Sequence, residues 1–264
     1  MFFTKRNKNL DAKAPAVVDK LDSKRSYTHF VDGQKERSSN EHVAMAQAIG
    51  GQFTAFGIVE REMLKFFGLP ADGYLVDVGC GSGRLAIPIA EWRDLRYLGI
   101  DVVPDLVEYA RKTANRQDWR FEVVDGLKIP EKNGTADMVC FFSVLTHLLH
   151  EQSYLYLEEA KRVLKVGGKI VFSFLEFYIP SHWAVFSSTV ANTRADGTHP
   201  LNVFIPREAI TTWAAHLDLD ILEIRDGDKP FVPIQEPIAL EDGTFMRDFA
   251  LLGQSICVLQ KRRS

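Results

Sequence analysis

Cysteine is scarce in this sequence, long uncharged runs are missing, and neither sign of charge prevails. The three cysteines, Cys80, Cys140 and Cys257, are odd in number and widely spaced, and two lie inside apolar runs. They read as reduced, buried thiols, which excludes a disulfide framework and predicts a cytoplasmic setting. No stretch of about 18 residues is free of charge, so no membrane span is expected. The opening residues MFFTKRNKNLDAK lack the apolar segment of ~7–15 residues that a secretory signal needs. Lysine and arginine together number 32 against 35 aspartates and glutamates, for a formal charge of −3. That balance gives no global pull toward nucleic acid or an anionic membrane. Internal repeats and low-complexity tracts are also missing. With 46% hydrophobic residues over 264 positions, the chain can bury a core without staples.

What the chain does have is a change of rhythm. Residues 1–40 are polar and mixed in charge, and are expected to form a partly flexible N-terminal arm whose Tyr27, His29 and Phe30 could dock on the body. From Glu41, apolar residues recur at three- and four-residue spacing. This predicts helices over 41–70, broken at Gly50-Gly51 and stopped by Gly68-Leu69-Pro70. Over 72–176, short apolar runs alternate with helical segments. Strands are expected from Tyr74 to Val78, Tyr97 to Ile100, Trp119 to Val124, Met138 to Phe142 and Lys169 to Phe174. Strict alternation with almost wholly apolar strands predicts a doubly wound α/β fold around a parallel sheet covered on both faces. The alternation pauses over 177–206, where Tyr178, Trp183, Phe186 and Phe204 stand among turn formers; a lid-like insertion without regular structure is expected there. Residues 207–264 supply a helix and two further strands, so 41–264 reads as a single domain.

The sharpest local signal is LVDVGCGSGRLA, with Gly79, Gly81 and Gly83 between a strand and a helix. Glycine suits a tight turn that lets a ligand approach the backbone, and a helix N-terminus beyond it favours an anionic group. Gly81-Ser-Gly83-Arg-Leu-Ala86 also satisfies the dinucleotide fingerprint in its G-x-G-x-x-A form. Asp101 ends the second strand 101 − 81 = 20 residues after Gly81, where a ribose-binding acid belongs for either ligand. The loop alone leaves a nicotinamide cofactor and an adenosylated amino acid both open.

The wider pattern resembles the class I S-adenosylmethionine-dependent methyltransferases. Asp77-Val-Gly-Cys-Gly-Ser-Gly83 is similar to their first motif and Gly99-Ile-Asp101 to their second. Val124-Asp-Gly126 is similar to their adenine-contacting step, and Ala136 to Phe142 to their fourth strand. Arg162 to Lys169 is similar to their turn into the fifth. The resemblance implies a mostly parallel seven-stranded sheet whose last strand is antiparallel, with S-adenosyl-L-methionine as cofactor. It implies that Gly79, Gly81 and Gly83 line the methionine moiety, that Asp101 binds the ribose and that Val102 lies against the adenine. Asp125 and Gly126 would then meet the adenine edge, with Phe142 and Ser143 on the other side. Asp77 would reach the ligand's ammonium or tie the loop together. Arg84 would meet the methionine carboxylate or stand exposed in the first helical turn.

An acceptor hydroxyl needs its proton removed, which a positioned base accelerates by about 10²–10⁴-fold. His147, just past the fourth strand, is the best-placed base, with an ordinary pKa near 6.5; its alternative role is to start or cap the next helix. Glu176 follows the fifth strand and faces the same edge, with Tyr27, His29, His182 and Trp183 as lid candidates. His147 and His150 would be neighbours on a helix, but no further cysteine or histidine cluster supports zinc, so no metal is expected. The favoured acceptor is a small molecule, methylated at a hydroxyl or amine of a sugar or secondary metabolite. Phe141-Phe-Ser-Val144 replaces the N/D-P-P-Y/F run of enzymes that methylate exocyclic or amide nitrogen, which argues against that chemistry. Methylation of RNA or protein, a nicotinamide-dependent oxidoreductase and a catalytically silent cofactor-binding protein are the alternatives.

Overall fold

The computed structural model describes residues 23–195 and 201–263. Residues 1–22 of the expected arm and 196–200 of the expected insertion lie outside that range. Within the expected arm, Ser23–Arg37 forms a helix (α1), because Val31 is buried against Met45, Ala48, Val103 and Leu106. Helices α2 (Glu41–Ala48) and α3 (Phe53–Phe66) follow. Asn40 caps α2 by accepting from the Val43 N–H, a contact of a kind that stabilises a helix by about 1 kcal/mol.

The alternating region builds β1 (Tyr74–Val78), α4 (Ala86–Ile89), β2 (Arg96–Asp101), α5 (Pro104–Ala114), β3 (Arg120–Val123) and β4 (Ala136–Phe141). A short 3₁₀ turn, Leu145–His147, leads to α6 (His150–Val163), which passes directly into β5 (Leu164–Phe174). The turn-rich stretch after β5 is helical over α7 (Pro180–Arg194), with only His182 fully buried. Helix α8 (Arg207–His216) and β6 (Leu219–Arg225) come next. The link after β6 contains β7 (Val232–Pro233), β8 (Ile238–Ala239), β9 (Phe245–Met246) and β10 (Phe249–Ala250), paired as two small ladders. The chain closes with β11 (Ser255–Lys261).

Seven strands form one sheet in the order β3-β2-β1-β4-β5-β11-β6, and β11 runs antiparallel to both β5 and β6. The strand order reverses about β1 and β4, which opens a crevice at the carboxyl ends of those strands. One face of the sheet packs on α3 and α5 through Leu75, Met138 and Val171; the other packs on α6 and α8 through Val76, Val139 and Ile170. The three cysteines are buried free thiols. No described helix is long and apolar enough to cross a membrane.

Candidate active site

A cavity of about 590 Å³ opens at the carboxyl edge of β1, β2 and β4, within the ordinary size of a small-molecule site. The glycine turn forms one wall. Gly79 has φ +73°, and a Cβ there would lie 2.3 Å from Val144 Cγ2, so only glycine lets β1 pass so close to the end of β4. The turn is braced by β2: the N–H groups of Gly79 and Cys80 donate to Ile100 O at 2.7 and 3.0 Å. Gly83 does not reach the cavity; it lets the turn pack on Ala110 of α5. The helix beyond is only α4, four residues long.

Asp101 lines the cavity at the end of β2. Its Oδ2 accepts from the Gly81 N–H and its Oδ1 from the Val103 N–H, each at 3.0 Å. Each oxygen keeps a lone pair for a ligand hydroxyl. Burial raises its pKa, and the backbone bonds oppose that rise. Val102, Asp125, Gly126, Phe142 and Ser143 line the same cavity.

Asp77 also reaches the cavity, from the middle of the sheet opposite Gly99 and Cys140. Its Oδ2 accepts from Tyr97 Oη at 2.7 Å and its Oδ1 from Cys140 Sγ at 3.4 Å. Burial pushes the carboxyl up to about 7, with the Tyr97 bond opposing and the nearby Glu60 charge adding to the rise. Arg84 is neither exposed nor unpaired. Its guanidinium bonds Glu60 at 2.5 Å and Ile49 O at 3.1 Å while lining the cavity. Glu60, 1% exposed, is a site residue that the motif reading missed. Its signal was present as an acid three and four residues before Met63 and Leu64, on the apolar face of α3.

His147 lines the cavity in the 3₁₀ turn, half-buried, with its ring 5.6 Å from that of Tyr27 on α1. Its Nδ1 lies 2.6 Å from Leu201 O. A carbonyl oxygen can only accept, so Nδ1 carries the proton and Nε2 holds the lone pair. Burial lowers the imidazole pKa, opposed by the Leu201 bond, so the ring is neutral near pH 7. Tyr27 lines the cavity too and donates to Ala48 O at 2.9 Å.

The structure does not bring Glu176 to the cavity. It lies buried beyond β5, where Arg207 grips it with bonds of 2.7 and 2.9 Å and Ser255 Oγ donates to it at 2.5 Å. These three donors from the protein engage the carboxylate, which ties the end of β5 to α8 and β11. His182 joins this network: its Nδ1 accepts from the Glu176 N–H at 2.9 Å and its Nε2–H donates to Gly253 O at 3.1 Å. Trp183 and His29 are exposed and do not line the cavity. No three His, Cys, Asp or Glu side chains of the described residues converge as metal ligands would. Gln254, in the turn before β11, does line the cavity and was not foreseen.

These features test whether an adenosylated amino acid fits. The buried Asp101 carboxylate has the acceptor capacity a ribose diol needs, and the Asp77, Glu60 and Arg84 cluster can offer both signs of charge to a zwitterionic head group. The donor set fits such a ligand.

Residues 75–168 match a family model described as a methyltransferase domain. The chain is 28% identical over 162 residues to the ubiquinone biosynthesis O-methyltransferase of Xanthomonas axonopodis pv. citri, covering 59% of this chain and 66% of that protein. It is 26% identical over 196 residues to the ajmaline N-methyltransferase of Rauvolfia serpentina, covering 70% and 67%. The chain thus spans about two thirds of the length of these relatives. Among solved structures, the magnesium protoporphyrin IX methyltransferase of Synechocystis with bound SAH superposes with a TM-score of 0.57 at 15% identity, over 91% of this chain and 98% of that one. Residues 75–168 thus form a methyltransferase domain, and its seven-stranded sheet and glycine turn are similar to those of the class I S-adenosylmethionine-dependent methyltransferases.

Proposed function

We propose that this protein methylates a small-molecule acceptor at a hydroxyl or amine, with S-adenosyl-L-methionine as donor. The observation that carries the reading is that the neutral His147, its Nε2 unprotonated, lines the same cavity as Asp101 and the glycine turn. When bound, the cofactor supplies an electrophilic sulfonium methyl. Gly79 and Gly81 give its amino-acid part room, with Asp77, Glu60 and Arg84 around its charged head. Asp101 accepts from the ribose hydroxyls, Val102 packs on the adenine, and Asp125 and Gly126 meet the ring's edge. Phe142 and Ser143 close the far side.

The protein's work is alignment, which can supply roughly 7–11 kcal/mol of the barrier. His147 takes the acceptor's proton at Nε2, and its bond to Leu201 holds the ring in the tautomer this requires. The two curated relatives are named as O- and N-methyltransferases of small molecules, which supports this class of acceptor. Calorimetric titration with S-adenosylhomocysteine tests the cofactor reading. Micromolar binding by the wild type that is lost in Asp101→Ala is expected; absence of binding, or preference for NADH, would overturn it. A panel of hydroxyl and amine acceptors, assayed by product formation with wild type and His147→Ala, tests the base. Equal kcat across pH in both would remove His147 from that role.

A further inference from the structure

No motif pointed to Gln254, yet the fold sets it into the cavity. It precedes β11, and in the sheet order β11 lies two strands beyond β4, on the side away from β2 and Asp101. Its side chain therefore enters from the side opposite the ribose-binding acid. Half of its amide is satisfied: Nε2 donates to Ser143 Oγ at 3.1 Å. The other half is not. Oε1 is buried, and it has no hydrogen-bond partner among the described residues. A buried acceptor without a donor is destabilising, and native structures seldom keep one without a reason.

The turn that presents this amide is clamped on both flanks. Gly253 O accepts from His182, while Ser255 Oγ donates to Glu176 and accepts from the Gly227 N–H at 3.1 Å. Arg207 in turn fixes Glu176. Ser143, the partner of the amide, is itself held: its N–H donates to Ser173 Oγ at 2.7 Å, and its backbone is left-handed at φ +59°. Two anchored neighbours and one free oxygen form the arrangement expected of a preorganised recognition group. Leu252 and Phe56 add apolar wall to the same cavity.

We propose that Gln254 sets acceptor specificity: its Oε1 receives a hydrogen bond from a second donor on the molecule whose first donor faces His147. The acceptor class is then a small molecule carrying at least two hydroxyl or N–H donors beside an apolar face, and a compound with one donor is a poor substrate. This rests on the methyltransferase reading.

The test is a ligand-observed NMR titration of protein saturated with S-adenosylhomocysteine. The probes are catechol against phenol and cis-1,2-cyclohexanediol against cyclohexanol. In the wild type, at least one two-donor probe is expected to bind about tenfold more tightly than its one-donor counterpart, the scale of one net hydrogen bond. Gln254→Leu is expected to bring that ratio near one while keeping affinity for S-adenosylhomocysteine, which also reports that the variant is folded. Gln254→Glu, which can accept but not donate, is expected to keep the ratio. A ratio near one in the wild type, a ratio that survives Gln254→Leu, or one that is lost in Gln254→Glu would each overturn the proposal. Failure of the wild type to bind S-adenosylhomocysteine at all would instead bring down the methyltransferase reading on which it stands.

Discussion

Replacing Asp77 with asparagine changes how stability depends on pH, and the structure sets the size of the change. The folded carboxyl is pushed up to about 7 by burial, whereas in an unfolded chain an aspartate titrates near ~3.9. Between those values the folded protein holds a proton that the unfolded chain has released. The stabilisation is therefore fully present below the unfolded value and is lost as pH rises through the folded one. From pH 5 to pH 8 the folded group crosses about two units of that window, which at 1.36 kcal/mol per unit amounts to ~2.5 kcal/mol. Asparagine keeps an oxygen for the Tyr97 hydroxyl but has no proton to lose. Urea unfolding of both proteins at pH 5 and pH 8 should show wild-type stability falling by ~2.5 kcal/mol more than that of Asp77→Asn. Contributions from every other titrating group cancel in that comparison. Parallel profiles would mean that Asp77 is ionised in the folded protein at pH 5, and the burial argument would fail.

Three further outcomes follow from the same geometry. Glu176→Ala should lower stability by about 2–3 kcal/mol, less than a fully buried pair would lose because the Arg207 side chain is 32% exposed; the pH profile of kcat should keep its shape, and a changed shape would return Glu176 to the chemistry. Gly79→Ala combines a left-handed φ with a 2.3 Å clash against Val144, so a loss of roughly 2–4 kcal/mol is expected in urea unfolding, and a loss under 1 kcal/mol would refute the close approach. His147 must be neutral to act, and burial lowers its pKa, so the acid limb of kcat should rise through a midpoint below about 6.5; a midpoint above that value would contradict the assignment.

The strands were legible because a strand buried on both faces is almost wholly apolar, and Tyr74–Val78 and Ala136–Phe141 carry only one acid each. Asp77 and Asp101 were legible through their spacing around the glycines. Helix α7 was not. Phe186 meets Trp183, Phe177 and Phe204 at one corner, so the aromatics form a cluster and no periodic stripe, and turn-forming residues around them mask the helix. Glu176 was misjudged for a related reason. Position after a strand places a residue at the sheet's edge, but its role depends on Arg207, 31 residues later, and Ser255, 79 residues later. Pairings over such separations have no local signature.

Gln254 shows where the limit falls. A single glutamine in a polar turn carries no motif, and only the insertion of β11 between β5 and β6 brings it to the cavity. On the reading proposed above, the cofactor half of the site comes mostly from one stretch, where each strand end feeds the next turn, so spacing encodes all of it but Glu60 of α3. The acceptor half proposed here draws on the 3₁₀ turn, α3 and the turn before β11, which meet only once the sheet has closed. If Gln254 sets specificity, that specificity is a property of topology. A change at Gln254 or in its Glu176 and His182 supports should alter which acceptor binds while leaving the glycine turn and Asp101 as they are.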